Sequence, residues 1–234
     1  MANFIVAFKS DARTRAYSKS FREMKQDCAG DFARSALECD ASSHRFQFGG
    51  VREKDLIEFS EGEAMQLKLK QCTIRPWRLD DAESLARHAN NRRVCQTLRD
   101  AFPHPYTLKD AHEFLRQATV EQRTTRFCIE INGAAVGGIG VHPGQDVYRQ
   151  TATMGYWLGE EFWGRSIMTE AVTAVTDFCL ENFSLYRIAA EVFANNPASA
   201  RVLEKAGFTF EGRLKNHVIK DGQLLDSLVY ARTK

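Results

Sequence analysis

TATMGYWLGEEFWGRSIMTEA, residues 151–171, predicts a strand, a turn and a helix in close succession. Apolar and aromatic residues dominate positions 154–158, a composition typical of a strand. Gly159 and the two glutamates after it break the strand, and residues 163–166 form a turn. From Ile167 onward, apolar residues recur at the spacing of a helix with one buried face. The rows of that face are Ile167, Ala171, Ala174 and Phe178, flanked by Met168, Val172, Val175 and Cys179.

The turn before this helix has the properties of an anion site. The first backbone N–H groups of a helix have no partner within the helix, and the helix dipole is positive at that end. Arg165 adds a formal positive charge. The turn can therefore hold the phosphate groups of a ligand. From this stretch alone, an ordinary strand–turn–helix connection that binds nothing is the alternative.

Composition and charge exclude several classes of protein. The 234 residues are 44% hydrophobic, enough for a globular core, and the net charge of +2 from 32 basic and 30 acidic residues argues against nucleic acid as a partner. The six cysteines form no CxxC pair and the six histidines no HxxxH or HExxH motif. We therefore expect buried thiols in the cytoplasm and no metal site. The apolar run at 4–8 is too short for a membrane span or a secretory signal, so no membrane partner is expected.

The first part of the chain lacks the patterns of a folded domain. Residues 1–64 alternate charged residues, serine and glycine without lasting periodicity, which predicts an N-terminal extension that is weakly ordered or forms short helices. Its basic start resembles a transit peptide in part, although such peptides contain fewer acids. Regular patterns begin at Met65. We therefore predict one domain over residues 65–234.

The patterns in residues 65–234 predict a sheet flanked by helices. Proline, acidic residues, a capping box, and Asn-Gly and Asp-Gly pairs mark the element ends. The order describes an α+β domain with a mixed, mostly antiparallel sheet. Besides the central strand and helix, the predicted elements are a strand at 67–74, helices beginning near Asp80 and Thr107, a hairpin at Asn132-Gly133, a strand at 186–193, a helix with Pro197 in its first turn, and a hairpin at Asp221-Gly222.

Several segments together resemble one known superfamily. They are GYWLGEEFWGRSIMTEA (155–171), NPASARVLEKAGF (196–208) with EGR after it, KDGQLLDSLVYA (220–231) and TIRPWRLDDAESL (73–85). The sequence resembles the GNAT (acyl-CoA N-acyltransferase) superfamily, in the branch of RimJ/RimL-type ribosomal-protein N-terminal acetyltransferases. The resemblance covers residues 65–234 in family order. That branch also contains enzymes that act on small amines and antibiotics.

The resemblance implies a GNAT fold and acetyl-CoA as the acetyl donor. It implies that the pantetheine arm lies in a splay between the central strand and the strand ending at Phe193, with amides near Met154 and Gly155 facing the carbonyl oxygen. It also gives Ser199 the role of protonating the leaving thiolate, whereas spacing alone favours a helix-start hydroxyl bonded to its own backbone. The implied cofactor-binding residues are Tyr156, Trp157 and Leu158 for the arm, Trp163, Gly164, Arg165, Ser166, Ile167, Met168 and Thr169 for the pyrophosphate, and Asn196 beside them.

Two positions depart from the family pattern. Ser166 stands where the turn usually has glycine, so a Cβ narrows the approach to phosphate, although the hydroxyl can donate a hydrogen bond. Thr153 stands at the catalytic position of the family's proposed general base, a glutamate, and a threonine hydroxyl cannot accept a proton near neutral pH. His142 and Glu130 are candidate replacements, with a surface or sheet-edge role as the alternative for each.

The missing carboxylate bears on the acceptor. An α-amine of pKa about 7.7–8.0 is about 10–15% neutral at pH 7, whereas deprotonating a lysine amine of pKa about 10.4 costs about 4.6 kcal/mol. The sequence therefore predicts an N-acetyltransferase acting on a protein N-terminus or a small amine of low pKa, as a monomer or homodimer. The alternative is a CoA-binding protein of GNAT fold with weak or no transferase activity, because of Thr153 and Ser166.

Overall fold

An eight-stranded sheet forms the centre of the described chain. The computed structural model describes residues 66–120 and 125–234, so the predicted extension over residues 1–64 lies outside the described residues. The sheet order is β1-β2-β3-β4-β5-β6-β8-β7, and every neighbouring pair is antiparallel except β5–β6. This confirms the mixed, mostly antiparallel sheet. The strands are β1 (Leu67–Lys68), β2 (Thr73–Pro76), β3 (Arg126–Ile131), β4 (Ala134–Pro143), β5 (Thr151–Leu158), β6 (Arg187–Phe193), β7 (Thr209–Lys220) and β8 (Gln223–Thr233).

Helices cover both faces of the sheet, which gives the α+β architecture. One buried cluster contains side chains of α4 and α5 together with Met154 and Leu158 of the central strand. A second cluster contains side chains of α1 and α3, and Trp157 packs against it from the other face of the same strand. The helices are α1 (Ala82–Ala89), α2 (Arg92–Cys95), α3 (Leu108–Val120), α4 (Ile167–Asn182) and α5 (Pro197–Lys205).

Local turn and cap chemistry places most elements where the sequence predicts them. The Thr107 amide donates to Asp110 Oδ2 at 2.8 Å and the Asp110 amide to Thr107 Oγ1 at 3.3 Å, which confirms the capping box that begins α3. Asn132 and Gly133 join β3 to β4 with φ of 50° and 79°. Both values are positive, as a two-residue hairpin turn requires.

Two details of the prediction are wrong. The strand predicted at 67–74 is a tight hairpin of β1 and β2, because the Leu69 amide donates to the Cys72 carbonyl at 2.9 Å and closes a turn. On α4, Ala174 and Phe178 are only half-buried. The row predicted as flanking is the one packed on the sheet, and the fully packed face also includes Thr176 and Leu180.

The central strands β5 and β6 separate along their length. Their pairing runs from Thr151 opposite Arg187 to Met154 opposite Ala190. Beyond that point β5 pairs only with β4, through Leu158, and β6 pairs only with β8, through Phe193. The backbone groups of both strands therefore face an opening, where they need partners other than each other.

Candidate active site

The turn before α4 presents backbone donors to solvent. Gly164 and Ser166 have φ of 74° and 61°, both left-handed, and the side chains of 163–166 are exposed. The Glu170 amide makes the first bond of the helix, to the Ser166 carbonyl at 3.1 Å. The amides of 167–169 precede that bond and point out of the helix end beside the splay. This arrangement suits an anion.

Hydrogen bonds from neighbouring segments hold this turn in place. Trp163 Nε1 donates to the Leu158 carbonyl at 2.8 Å, so the turn is tied to the end of β5. From the β1–β2 turn, Gln71 Nε2 donates to the Arg165 carbonyl and the Lys70 amide to Glu170 Oε1, each at 2.8 Å. The turn is thus fixed before any ligand arrives. One lone pair of the Leu158 carbonyl is already used.

The acidic residues ahead of the turn are paired. Glu160 accepts from Asn91 Nδ2 at 2.8 Å and forms an ion pair with Arg93, and Glu161 Oε1 lies 3.0 Å from Nδ1 of the buried His88. Burial, followed by the charge of Arg87, lowers the pKa of His88. The pairing reduces the negative field that these two carboxylates would otherwise direct at an anion near α4.

A tyrosine and a serine meet across the two strands that separate. The Tyr156 hydroxyl lies 2.8 Å from Ser199 Oγ and also donates to the Ser199 carbonyl at 3.2 Å. Asn196 caps α5 by accepting from the Ser199 amide at 3.2 Å. Burial raises the pKa of the Tyr156 phenol, so it stays protonated. The Ser199 hydroxyl therefore sits in a hydrogen-bonded position at the splay, next to a neutral phenol.

The opposite face of the splay is lined by small residues. Thr153 pairs with His142 on β4 and with Ala189 on β6, so it lies on the last rung of that face before the strands part. A Cβ on Gly155, the next residue of β5 on this face, would meet no atom within 4 Å. The site therefore has open space beside the family base position.

The two predicted replacement bases differ in their surroundings. Glu130 forms an ion pair with the buried Arg75, which also binds Asp81 with Nη1 and Nη2 at 2.8 and 2.7 Å. Glu130 therefore holds β3 to β2 and is committed to structure. His142 lies beside Thr153, and its Nε2 is 3.1 Å from the position that a Cβ on Gly140 would occupy. Of the two predicted bases, His142 is the one at the site.

Sequence reasoning missed a cluster on β6, β7 and β8. His217 Nδ1 lies 3.1 Å from Glu191 Oε1 and 3.1 Å from the Oγ of the buried Ser227. The three residues are far apart in the chain, and no motif links them. They meet because β8 lies between β6 and β7 in the sheet.

Other sequence predictions are bounded by the described residues. Cys72, Cys95, Cys128 and Cys179 are buried free thiols, and the remaining two cysteines lie outside the described ranges. In residues 66–120 and 125–234, no group of three or more His, Cys, Asp or Glu side chains is placed to hold a metal ion. Across those same ranges, no helix combines the length and apolar character needed to cross a membrane.

The fold and site define a class of protein that binds a ligand with a phosphate group and a long arm between two separating strands. Residues 71–209 match the family described as Acetyltransferase (GNAT) domain. The chain belongs to this family. It is an acetyl-CoA-dependent N-acetyltransferase.

Individual relatives include ribosomal-protein enzymes. The chain is 45% identical over 82 residues to YjcK of Bacillus subtilis (strain 168), described as a probable N-acetyltransferase, a match covering 35% of this chain and 45% of that protein. It is 32% identical over 80 residues to the ribosomal protein uS5-alanine N-acetyltransferase of Escherichia coli (strain K12), covering 34% and 41%. These matches span less than half the length of either relative.

A solved structure with the same architecture is Mycobacterium smegmatis RimJ in complex with CoA-disulfide. It aligns with a TM-score of 0.62 at 27% identity, over 69% of this chain and 81% of that one. The relationship to ribosomal-protein acetyltransferases predicted from the motifs is therefore confirmed. The acceptor is a separate question.

Proposed function

We propose that this enzyme acetylates an amine of low pKa, most simply the α-amine at a protein N-terminus, with a small-molecule amine as the second candidate. The observation that carries the proposal is the splay beyond Met154 and Ala190, bordered by the amides of α4 on one side and by Ser199 on the other. Relatives named for acetylating ribosomal proteins support the protein acceptor. The site residues keep the roles that the resemblance implies.

The site residues fit acetyl-CoA. The amides of 163–169 bind the diphosphate, with Arg165 adding charge, and the backbone of 156–158 binds the pantetheine arm along the open side of β5. Asn196 fixes the start of α5, and so the position of Ser199. When bound, acetyl-CoA supplies an activated acetyl group.

The chain's own groups then assist the transfer. Amides near Met154 and Gly155 stabilise the negative charge that develops on the carbonyl oxygen. The Ser199 hydroxyl, hydrogen-bonded to Tyr156, donates a proton to the departing sulfur. Thr153 offers no carboxylate to take the proton of the amine.

This lack of a carboxylate favours α-amines over lysine side chains. At pH 7 an α-amine needs only about 1 pKa unit of help, whereas a lysine amine needs about 3.4 units, or about 4.6 kcal/mol. An enzyme with threonine at the family base position is therefore suited to an acceptor that is already partly neutral.

A matched pair of peptides tests the proposal. One peptide has a free N-terminus and no lysine, and the other has an acetylated N-terminus and one lysine, with otherwise equal sequence. We expect mass spectrometry to find acetyl transfer to the first and at least about 100-fold slower transfer to the second at pH 7. Faster transfer to the lysine peptide would contradict the proposal. CoA binding with no transfer to either peptide or to a panel of small amines would favour a CoA-binding protein.

A further inference from the structure

The cluster of Glu191, His217 and Ser227 has the geometry of an acid–base dyad. Nδ1 of His217 lies 3.1 Å from Glu191 Oε1 and 3.1 Å from Ser227 Oγ. A carboxylate acceptor at Nδ1 fixes the proton on that nitrogen and leaves the lone pair on Nε2. The imidazole is 43% exposed, so Nε2 is open to a ligand.

Strand register places this cluster beside the position of the family base. Thr153 and Ala189 are partners, and Glu191 is the next residue of β6 on the same face. With a rise of about 3.3 Å per residue and strands about 4.8 Å apart, the Cα atoms of Thr153 and Glu191 lie about 8 Å apart. Glu191 is also the first residue of β6 beyond its pairing with β5. The carboxylate missing from β5 therefore has a counterpart one strand away, at the start of the splay.

We propose that His217, held by Glu191, is the general base that accepts the proton of the acceptor amine at Nε2. This deepens the proposed function and rests on it. It makes His217 a catalytic residue and Glu191 its positioning residue.

His142 is less suited to this task than the dyad. Desolvation lowers the pKa of His142, and the charges of Arg126 and Arg99 lower it further. All three effects oppose the imidazolium that a base must become when it takes a proton. At His217 the Glu191 carboxylate stabilises that imidazolium instead.

The proton balance of the reaction is closed by these residues. The ammonium form of the acceptor gives one proton to His217 Nε2, and the neutral nitrogen forms a bond to the thioester carbon. The carbon–sulfur bond breaks, and its electron pair stays on sulfur. The second surplus proton of the nitrogen passes through the Ser199 hydroxyl to that sulfur, while His217 returns the first proton to water.

The charges around the dyad are few and mostly paired. Glu191 faces His217 from β6, and Ser227 faces it from β8. The nearby charges of the β7–β8 hairpin are Arg213 paired with Asp226, Lys220 paired with Asp100, Arg92 paired with Asp221, and Lys215 close to Asp226. Glu191 is thus the carboxylate in contact with the imidazole.

Kinetics of the full-length protein with a peptide bearing a free α-amine test the proposal. For His217→Gln we expect kcat/KM to fall about 100-fold at pH 7, but less than about 10-fold at pH 9, where most of the amine is already neutral. Glu191→Gln should reproduce part of the loss, and the double variant should be little worse than His217→Gln. His112→Gln, on the outer surface of α3, is the matched control and should equal the wild type.

Two further outcomes decide between explanations. The nitrogen NMR spectrum of the free protein should show neutral His217 protonated at Nδ1, and Glu191→Gln should weaken that preference. An Nε2-protonated tautomer, a His217→Gln loss equal at both pH values, or a loss found only in His142→Gln would overturn the dyad while leaving acetyl transfer intact. No transfer by the wild type to any peptide or amine would instead refute the proposed function, and the base with it.

Discussion

Replacing Ser199 by alanine separates a catalytic role from a structural one. The change removes the 2.8 Å contact between Ser199 Oγ and the Tyr156 hydroxyl. The phenol keeps an acceptor, because the Ser199 carbonyl lies 3.2 Å from it. The cap of α5 also survives, because Asn196 accepts from the backbone amide of residue 199. No buried polar group is therefore left without a partner.

The expected magnitudes differ for stability and rate. Loss of one hydrogen bond between satisfied groups costs about 1 kcal/mol of unfolding free energy. Loss of a positioned general acid costs about 100-fold or more in kcat, which is about 2.7 kcal/mol in the activation barrier. The KM for acetyl-CoA should stay within about 3-fold, because the diphosphate and arm are bound elsewhere.

Steady-state kinetics by mass spectrometry of the acetylated peptide, with urea denaturation of the same samples, measure both quantities. Ser184→Ala, at an exposed position after α4, is the matched control and should leave both unchanged. Tyr156→Phe should lower kcat by a smaller factor, because the Ser199 hydroxyl remains. A kcat for Ser199→Ala within about 3-fold of the wild type, or a loss confined to KM, would refute the assigned role.

Three further predictions follow from other parts of the site and core. Thr153→Glu should raise kcat/KM at pH 7 by about 10-fold and have little effect at pH 9, as measured with an α-amine peptide; no change at pH 7 would count against the missing-base account. Ser166→Gly should stabilise the fold by about 0.5 kcal/mol in urea denaturation, because φ of 61° is strained for serine; a clear loss would show that the side chain contributes a contact. Arg75→Met should destabilise by about 3–5 kcal/mol in the same assay, since it leaves the buried Asp81 unpaired, whereas the exposed Arg116→Met should cost less than about 0.5 kcal/mol; equal effects would contradict this.

Elements whose signals are local could be predicted from the sequence. The Asp221-Gly222 hairpin depends on two adjacent residues that accept positive φ, here 51° and 75°. The start of α3 depends on two side chains three positions apart. The hairpin of β1 and β2 was missed because its strands are very short and its turn carries neither glycine nor proline.

Contacts between distant residues could not be read from local patterns. Tyr156 and Ser199 are 43 positions apart, and Glu191 and His217 are 26 apart. Each pair forms because the sheet order brings separate strands, or a strand and a helix, to one place. The left-handed backbone at Ser166 was also hidden, although it gives a physical reason for the glycine usual at this turn in the family.

The account depends most on the amides at the start of α4 binding the diphosphate of CoA. Amide NMR spectra titrated with CoA and, separately, with pantetheine, which lacks the diphosphate, test this directly. We predict large shifts of the amides of 164–169 with CoA that pantetheine at saturation does not produce. Saturable CoA binding that leaves those amides unshifted, or equal shifts with both compounds, would contradict it.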